Sequence, residues 1–213
     1  MKGKKGSYSD VKIPIVVMDY TEDAQNVDVV ATNHIMGVKM GLDYLSGLGH
    51  KRIAFVTDDV TTSERMNTFK TYSHDLGFNN DDYIVLSTVR YEKGGYEAVR
   101  ELFGKETRPT AVFCANDYMA IGAMKALNDM NLRVPEDVSV MGFDDAVLLN
   151  YLNCPLTTIC QHKDMLGEEA GRLLLNRMKS STEAKDASPL MNIIIRPELV
   201  VRESTGPCKE SKN

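Results

Sequence analysis

Three polar residues, Arg65, Asn116 and Asp144, carry the chemistry this chain offers most plainly. A guanidinium supplies N–H donors in a rigid fork, a carboxylate only accepts, and a carboxamide does both. Those are the groups that suit a small polyhydroxylated molecule. They lie far apart along the chain, so only the fold can bring them together.

The stretch from Pro109 to Asp145 indicates how it does so. Thr110 to Ala115 is a short apolar run, read as a strand buried on both faces and stopped by Asn116-Asp117. Met119, Ile121, Ala123, Met124, Leu127 and Met130 then recur at helical spacing, with Asn116 or Asp117 as cap and Asn131 as terminator. After a turn at Val134–Asp137, a second apolar run from Val138 to Phe143 ends at Asp144-Asp145. This strand–helix–strand unit has the length of a right-handed parallel crossover, which puts Asn116 and Asp144 at the carboxyl ends of parallel strands, where open sheets bind ligands. Arg65 follows another buried run, Arg52 to Val56, in the first turn of a helix capped by Ser63, and so falls at the same edge. The plainer account is that Asn116 or Asp117 only caps a helix and Asp144-Asp145 only makes a turn.

The remaining elements follow the same logic. Residues 1–12 are a polar, Lys-rich tail or linker, and Ile13–Asp19 and Val27–Ala31 read as strands. A helix follows through Leu48, with Ile35, Met36, Val38, Met40, Leu42, Leu45 and Leu48 as its stripe and Gly49 as its end. Met66, Phe69, Tyr72, Ser73 and Leu76 mark the helix carrying Arg65; Tyr83–Thr88 is a strand and Lys93–Phe103 a helix. The 52–143 region therefore reads as a self-contained parallel sheet covered on both faces. Beyond it come a loop from Ala146, a strand at Thr157–Cys160, and a helix from Lys163 or Asp164 with Leu166, Ala170, Leu173, Leu174 and Met178 inward. Ser180–Ser188 is a polar loop, and Asn192–Ile195 and Leu199–Val201 are short strands before a polar tail.

The chain has 213 residues, 43% of them hydrophobic, enough for one large domain or two small lobes. No run has the length of a transmembrane helix and no apolar stretch follows Met1, so the expected compartment is the cytoplasm. A net charge of −5 argues against a surface built for nucleic acid. Cys114, Cys154, Cys160 and Cys208 lack metal or disulfide spacing and read as structural thiols.

The motifs IPIVVMD, LSGLGHKRIAFV, SERMNTF, TAVFCANDYMAIGAMKAL, VPEDVSVMGFDD, PLTTICQ and ELVVREST occur in one order between residues 13 and 205. As a set they resemble the effector-binding core of the LacI/GalR family of bacterial transcriptional regulators, whose fold is that of periplasmic sugar-binding proteins. The resemblance implies an α/β fold of two lobes, each a parallel sheet flanked by helices. Three strand crossings join them, near Gly49–Arg52, Thr158–Gln161 and Arg196–Glu198, and a small effector, often a sugar or nucleobase, lies between. It gives residues 13–49 plus 161–196 as a partial N-terminal lobe and 50–160 plus 197–205 as a C-terminal lobe, with 206–213 a disordered tail. Family members begin with a helix-turn-helix and further strand–helix units that do not precede Ile13, so the first lobe is expected to be incomplete and operator DNA to be met only through that absent segment.

By the same resemblance Arg65, Asn116, Asp144 and Gln161 match effector-binding positions, with Phe143 or Tyr91 available to cover an apolar ring face, and the working form is a homodimer with no cofactor and no membrane partner. Thr32 stands where many relatives carry aspartate and Thr68 replaces the glycine of R-x-x-G-F, so the effector type does not transfer. The rival reading is a sugar-binding protein of a transport system, which the absent export signal and unpaired cysteines oppose. An enzyme is opposed by the lack of a glycine-rich turn after Val56 and of GxSxG. The histidines have ordinary structural accounts, His34 and His74 on helices, His50 at a junction and His162 beside a crossing. Adjacent Asp144 and Asp145 should point apart rather than share a metal.

Overall fold

The computed structural model describes residues 13–19, 27–58, 63–182 and 189–209. Its contacts form two units: the described residues up to Asn33 with His162–Arg196, and His34–Gln161 with Pro197 onward.

In the first unit, β1 (Val16–Met18), β2 (Asp28–Thr32) and β8 (Asn192–Ile195) form a parallel sheet in the order β1-β2-β8. Helix α5 (Lys163–Thr182) buries Leu166, Ala170 and Leu173 against Val30 and Ile195. Met178, expected inward, is exposed, as are Met165, Leu175, Met18 and Ile194, so this unit leaves much apolar surface uncovered among its described residues. Its main polar tie is bidentate: Arg177 donates to both Asp28 oxygens at 2.7 Å, while Met191 N–H donates to Asp28 at 2.8 Å. The Arg177 guanidinium holds the Asp28 carboxyl below the usual carboxylate range.

The second unit carries a six-stranded sheet in the order β4-β3-β5-β6-β7-β9. Strands β3 (Ile53–Asp58), β4 (Ile84–Ser87), β5 (Ala111–Cys114), β6 (Ser139–Asp144) and β7 (Thr157–Cys160) are parallel; β9 (Glu198–Val200) closes the edge antiparallel to β7. The parallel register expected from the 109–145 stretch is present, with Ala111 opposite Ser139. One face is covered by α3 (Tyr91–Phe103) and α4 (Asp117–Asp129), the other by α1 (His34–Gly47) and α2 (Ser63–Asp75). Phe55 anchors the second face, stacked on Phe69 at 4.7 Å and edge-on to Phe113 at 5.6 Å.

The sequence alone assigns α1 to the first lobe; in the structure it lies on the second sheet, and the first crossing falls at Asn33–His34 instead of near Gly49–Arg52. The reason is steric. A Cβ at Gly37 would stand 2.7 Å from the Phe143 ring, and one at Gly41 would stand 2.6 Å from Phe113. Two glycines four residues apart thus let the helix backbone approach the sheet, and Val38, Leu42 and Leu45 bury beside them. The 146–155 loop also contains a 3-10 turn, Val147–Tyr151, with Leu149 buried.

The tail departs from expectation too. Ser204 Oγ donates to Val140 O at 2.6 Å and accepts from Thr157 N–H at 2.8 Å, Cys208 N–H donates to Leu48 O at 2.8 Å, and His50 Nε2 donates to Gly206 O at 3.0 Å. Residues 206–209 are therefore packed against the second unit, held by main-chain, hydroxyl and imidazole bonds that leave no apolar pattern. Residues 1–12 and 210–213 lie outside the described residues, as do 183–188 of the expected polar loop.

Replacing Gly41 with Val should lower stability by about 1–3 kcal/mol through overpacking against Phe113; an unchanged urea midpoint would mean that α1 is not seated there. Burial pushes the His50 imidazole below its ordinary range, against a smaller opposing effect of the Gly206 carbonyl. The folded state thus prefers neutral His50, and its contribution is present above the ordinary imidazole range and lost as pH falls through the depressed value. Urea midpoints between neutral and mildly acidic pH should fall less in His50→Gln than in the wild type.

Candidate functional site

The carboxyl ends of β3, β5, β6 and β7 form one edge of the second sheet. Arg65, in the first turn of α2, is buried there, 3% exposed. A buried guanidinium needs acceptors. Nη1 donates to Ala115 O at 2.5 Å, Nε donates to His34 Nδ1 at 3.3 Å, and Nη2 lies 3.1 Å from that same nitrogen. The Phe143 ring lies under the guanidinium, 3.8 Å from its carbon, and Asp144 Oδ1 is 3.7 Å from Nη1.

Asp144 ends β6 with φ 122°, a region that non-glycine residues rarely adopt and that recurs at functional sites. Its Oδ1 accepts from Gln161 Nε2, the residue after β7. Gln161 is 4% exposed, and its Oε1 is a buried acceptor without a hydrogen-bond partner among the described residues. Asp145 turns away and accepts from Arg202 at 2.7 Å. Among the described residues no group of three or more His, Cys, Asp or Glu side chains is placed to hold a metal.

Of the residues singled out from sequence, Arg65, Asp144, Phe143 and Gln161 meet. Asn116 joins the same edge, but its side chain is engaged as the cap of α4, accepting from Met119 N–H at 2.9 Å. Phe143 is fully buried beneath Arg65, so it supports the guanidinium and does not present a face for a guest ring. Tyr91 opens α3, is 58% exposed, and meets Tyr118 edge-on at 6.0 Å; its ring contact is not with the Arg65 group.

Two residues escape the sequence-based selection. His34 belongs to this group, and parallel-edge reasoning would have found it once α1 was placed on the second sheet. Asp117 is fully buried and accepts from the Thr158 hydroxyl at 2.6 Å and from Ala146 N–H at 2.7 Å. It fastens the start of α4 to β7 and to the turn after Asp145. Burial, with Asp117 nearby, pushes the Cys114 thiol up, and none of the four cysteines is in a disulfide.

This architecture is that of a periplasmic-binding-protein-like core. The periplasmic binding protein-like domain matches residues 42–205, and the chain belongs to that family, in its LacI/GalR branch of transcriptional regulators. It is 35% identical over 198 residues to the ribose operon repressor of Haemophilus influenzae, covering 91% of this chain and 58% of the relative. With the HTH-type transcriptional repressor PurR of Pasteurella multocida it is 34% identical over 196 residues, covering 90% of this chain and 57% of that one. A LacI family regulator of Enterococcus faecalis, solved with bound ribose, superposes with a TM-score of 0.82 at 26% identity, covering 95% of this chain and 72% of that one. The chain thus spans a little under three fifths of the length of the curated relatives it matches.

Asp117→Ala should cost about 2–4 kcal/mol, because it leaves a hydroxyl and an N–H buried without their acceptor. Asn116→Ala should cost about 1 kcal/mol, the worth of a cap. Chemical unfolding of both variants tests this, and equal losses would remove the fastening role given to Asp117.

Proposed function

We propose that this chain is the small-molecule sensing core of a bacterial transcription regulator, with a sugar as effector held at the carboxyl edge of the second sheet. The observation that carries this reading is the Arg65–Asp144–Gln161 group, with Arg65 and Gln161 buried and Asp144 half-buried, together with the strained backbone of Asp144 and the available Oε1 of Gln161. A sugar hydroxyl both donates and accepts, so it can satisfy a carboxylate, a carboxamide oxygen and a guanidinium at one edge. Asn116 contributes from the start of α4, its carbonyl oxygen already committed to the cap.

A pentose is the first candidate, because one relative is a ribose operon repressor and one structural neighbour holds ribose. Effector binding changes DNA affinity only if the effector favours one conformation of the regulator over the other. DNA contact itself belongs to a helix-turn-helix segment outside this sequence, and the regulator acts in the cytoplasm as a homodimer. No helix of the described residues is long and apolar enough to cross a membrane. The core is assigned no catalytic step.

Calorimetric titration with D-ribose, further pentoses and hexoses, sugar acids and purines tests the reading. D-ribose or a related sugar should bind, and Asp144→Ala should weaken that binding by about tenfold or more, the worth of one charge-assisted contact. Failure of every compound to bind, or an Asp144→Ala variant with unchanged affinity, would overturn the assignment.

A further inference from the structure

We infer that His34 is a positioning residue of the effector site: through a neutral imidazole with the lone pair on Nδ1, it fixes the orientation of the Arg65 guanidinium. The inference rests on the reading of the Arg65–Asp144 edge as that site.

A guanidinium carries only donors. With Arg65 Nε 3.3 Å and Nη2 3.1 Å from His34 Nδ1, that nitrogen has to accept, so any ring proton sits on Nε2. An imidazolium would instead set two cations against each other. The contact closes one side of a cage whose other sides are Ala115 O and the Phe143 ring, leaving the guanidinium turned to Asp144.

The helix makes the contact reproducible. His34 is the first residue of α1, is 6% exposed, and its ring centroid lies 5.8 Å from that of Phe143. One turn later Gly37 packs against the same Phe143 ring closely enough that a Cβ would stand 2.7 Å from it. The close approach at Gly37 fixes the start of α1 over the ring, and with it the imidazole beside Arg65. This goes beyond an ordinary buried helix histidine, because the group it orients is one that the effector meets.

The test begins with the ligand-free, 15N-labelled chain. Its NMR spectrum should show His34 Nδ1 unprotonated and an Arg65 Nε–H slow to exchange with water. His34→Phe keeps a ring but removes the acceptor, whereas His34→Asn places a carboxamide oxygen where Nδ1 stands. Arg65 Nε–H exchange should be about tenfold faster in His34→Phe and within about threefold of wild type in His34→Asn, as loss and retention of one hydrogen bond require. The D-ribose dissociation constant should rise about tenfold in His34→Phe and recover in His34→Asn.

A protonated Nδ1, or Arg65 exchange unaltered in His34→Phe, would overturn the role of His34. So would ribose affinity that falls equally in both variants. If D-ribose fails to bind even the wild type, the sugar reading fails by itself, and the ligand-free spectra still decide the role of His34.

Discussion

A guanidinium taken out of water has to find acceptors in the protein, and the second unit is arranged around that requirement at Arg65. The carbonyl of Ala115, Nδ1 of His34, the face of Phe143 and the carboxylate of Asp144 come from three different elements. None of them is placed by its near neighbours alone. β5 delivers the carbonyl, β6 the ring and the carboxylate, α1 the imidazole and α2 the arginine itself. Only a parallel sheet with a helix laid on this face brings those pieces to one edge, so fold and site are a single constraint.

The second requirement is closeness. Polar groups cannot share an edge unless the layers beneath them approach, and α1 approaches through Gly37 and Gly41. On the opposite face, Asp117 ties α4 to β7 and to the turn after β6 with both carboxylate oxygens. The turn so fixed is the one that holds Asp144 at a positive φ. A strained backbone persists only where its surroundings over-determine it, and here the surroundings include a buried carboxylate one strand away.

Much of this was legible in the chain. Strands β3, β5 and β6 are apolar runs bounded by turn residues, and parallel connection sends Arg65, Asn116 and Asp144 to one edge by geometry alone. The sheet assignment of α1 was not legible, because an apolar stripe reports that a face is buried without saying against which sheet. Gly37 and Gly41 held a clue, but small residues on a helix mark close approach only when the partner is known. The packed 206–209 segment left no signal, since its anchors are main-chain groups, a hydroxyl and the His50 imidazole. Phe143 was misjudged for a related reason: an aromatic ring beside a site residue looks like a platform for a guest until the structure puts a guanidinium on it. Asn116 and Asp117 exchanged significance, the amide serving as cap and the acid as fastening, a distinction that residue type does not encode.

These placements bear on how the edge would recognise the effector proposed for it. Read from sequence, Arg65 offers its fork to an effector; in the structure Nε, Nη1 and Nη2 all face protein acceptors. On the reading proposed above, Arg65 therefore meets an effector from an orientation that the protein has already fixed. Its charge lies beside Asp144, while Gln161 donates to the same Asp144 oxygen and keeps its own Oε1 as an acceptor. On the reading proposed above, an edge made of a fixed carboxylate and a buried carboxamide oxygen would select for guests rich in donors, because a guest that only accepts would leave both oxygens desolvated and unmatched. Hydroxyl-rich molecules would meet that demand, and on that reading the selectivity would arise from what the protein has already satisfied internally as much as from what it leaves open.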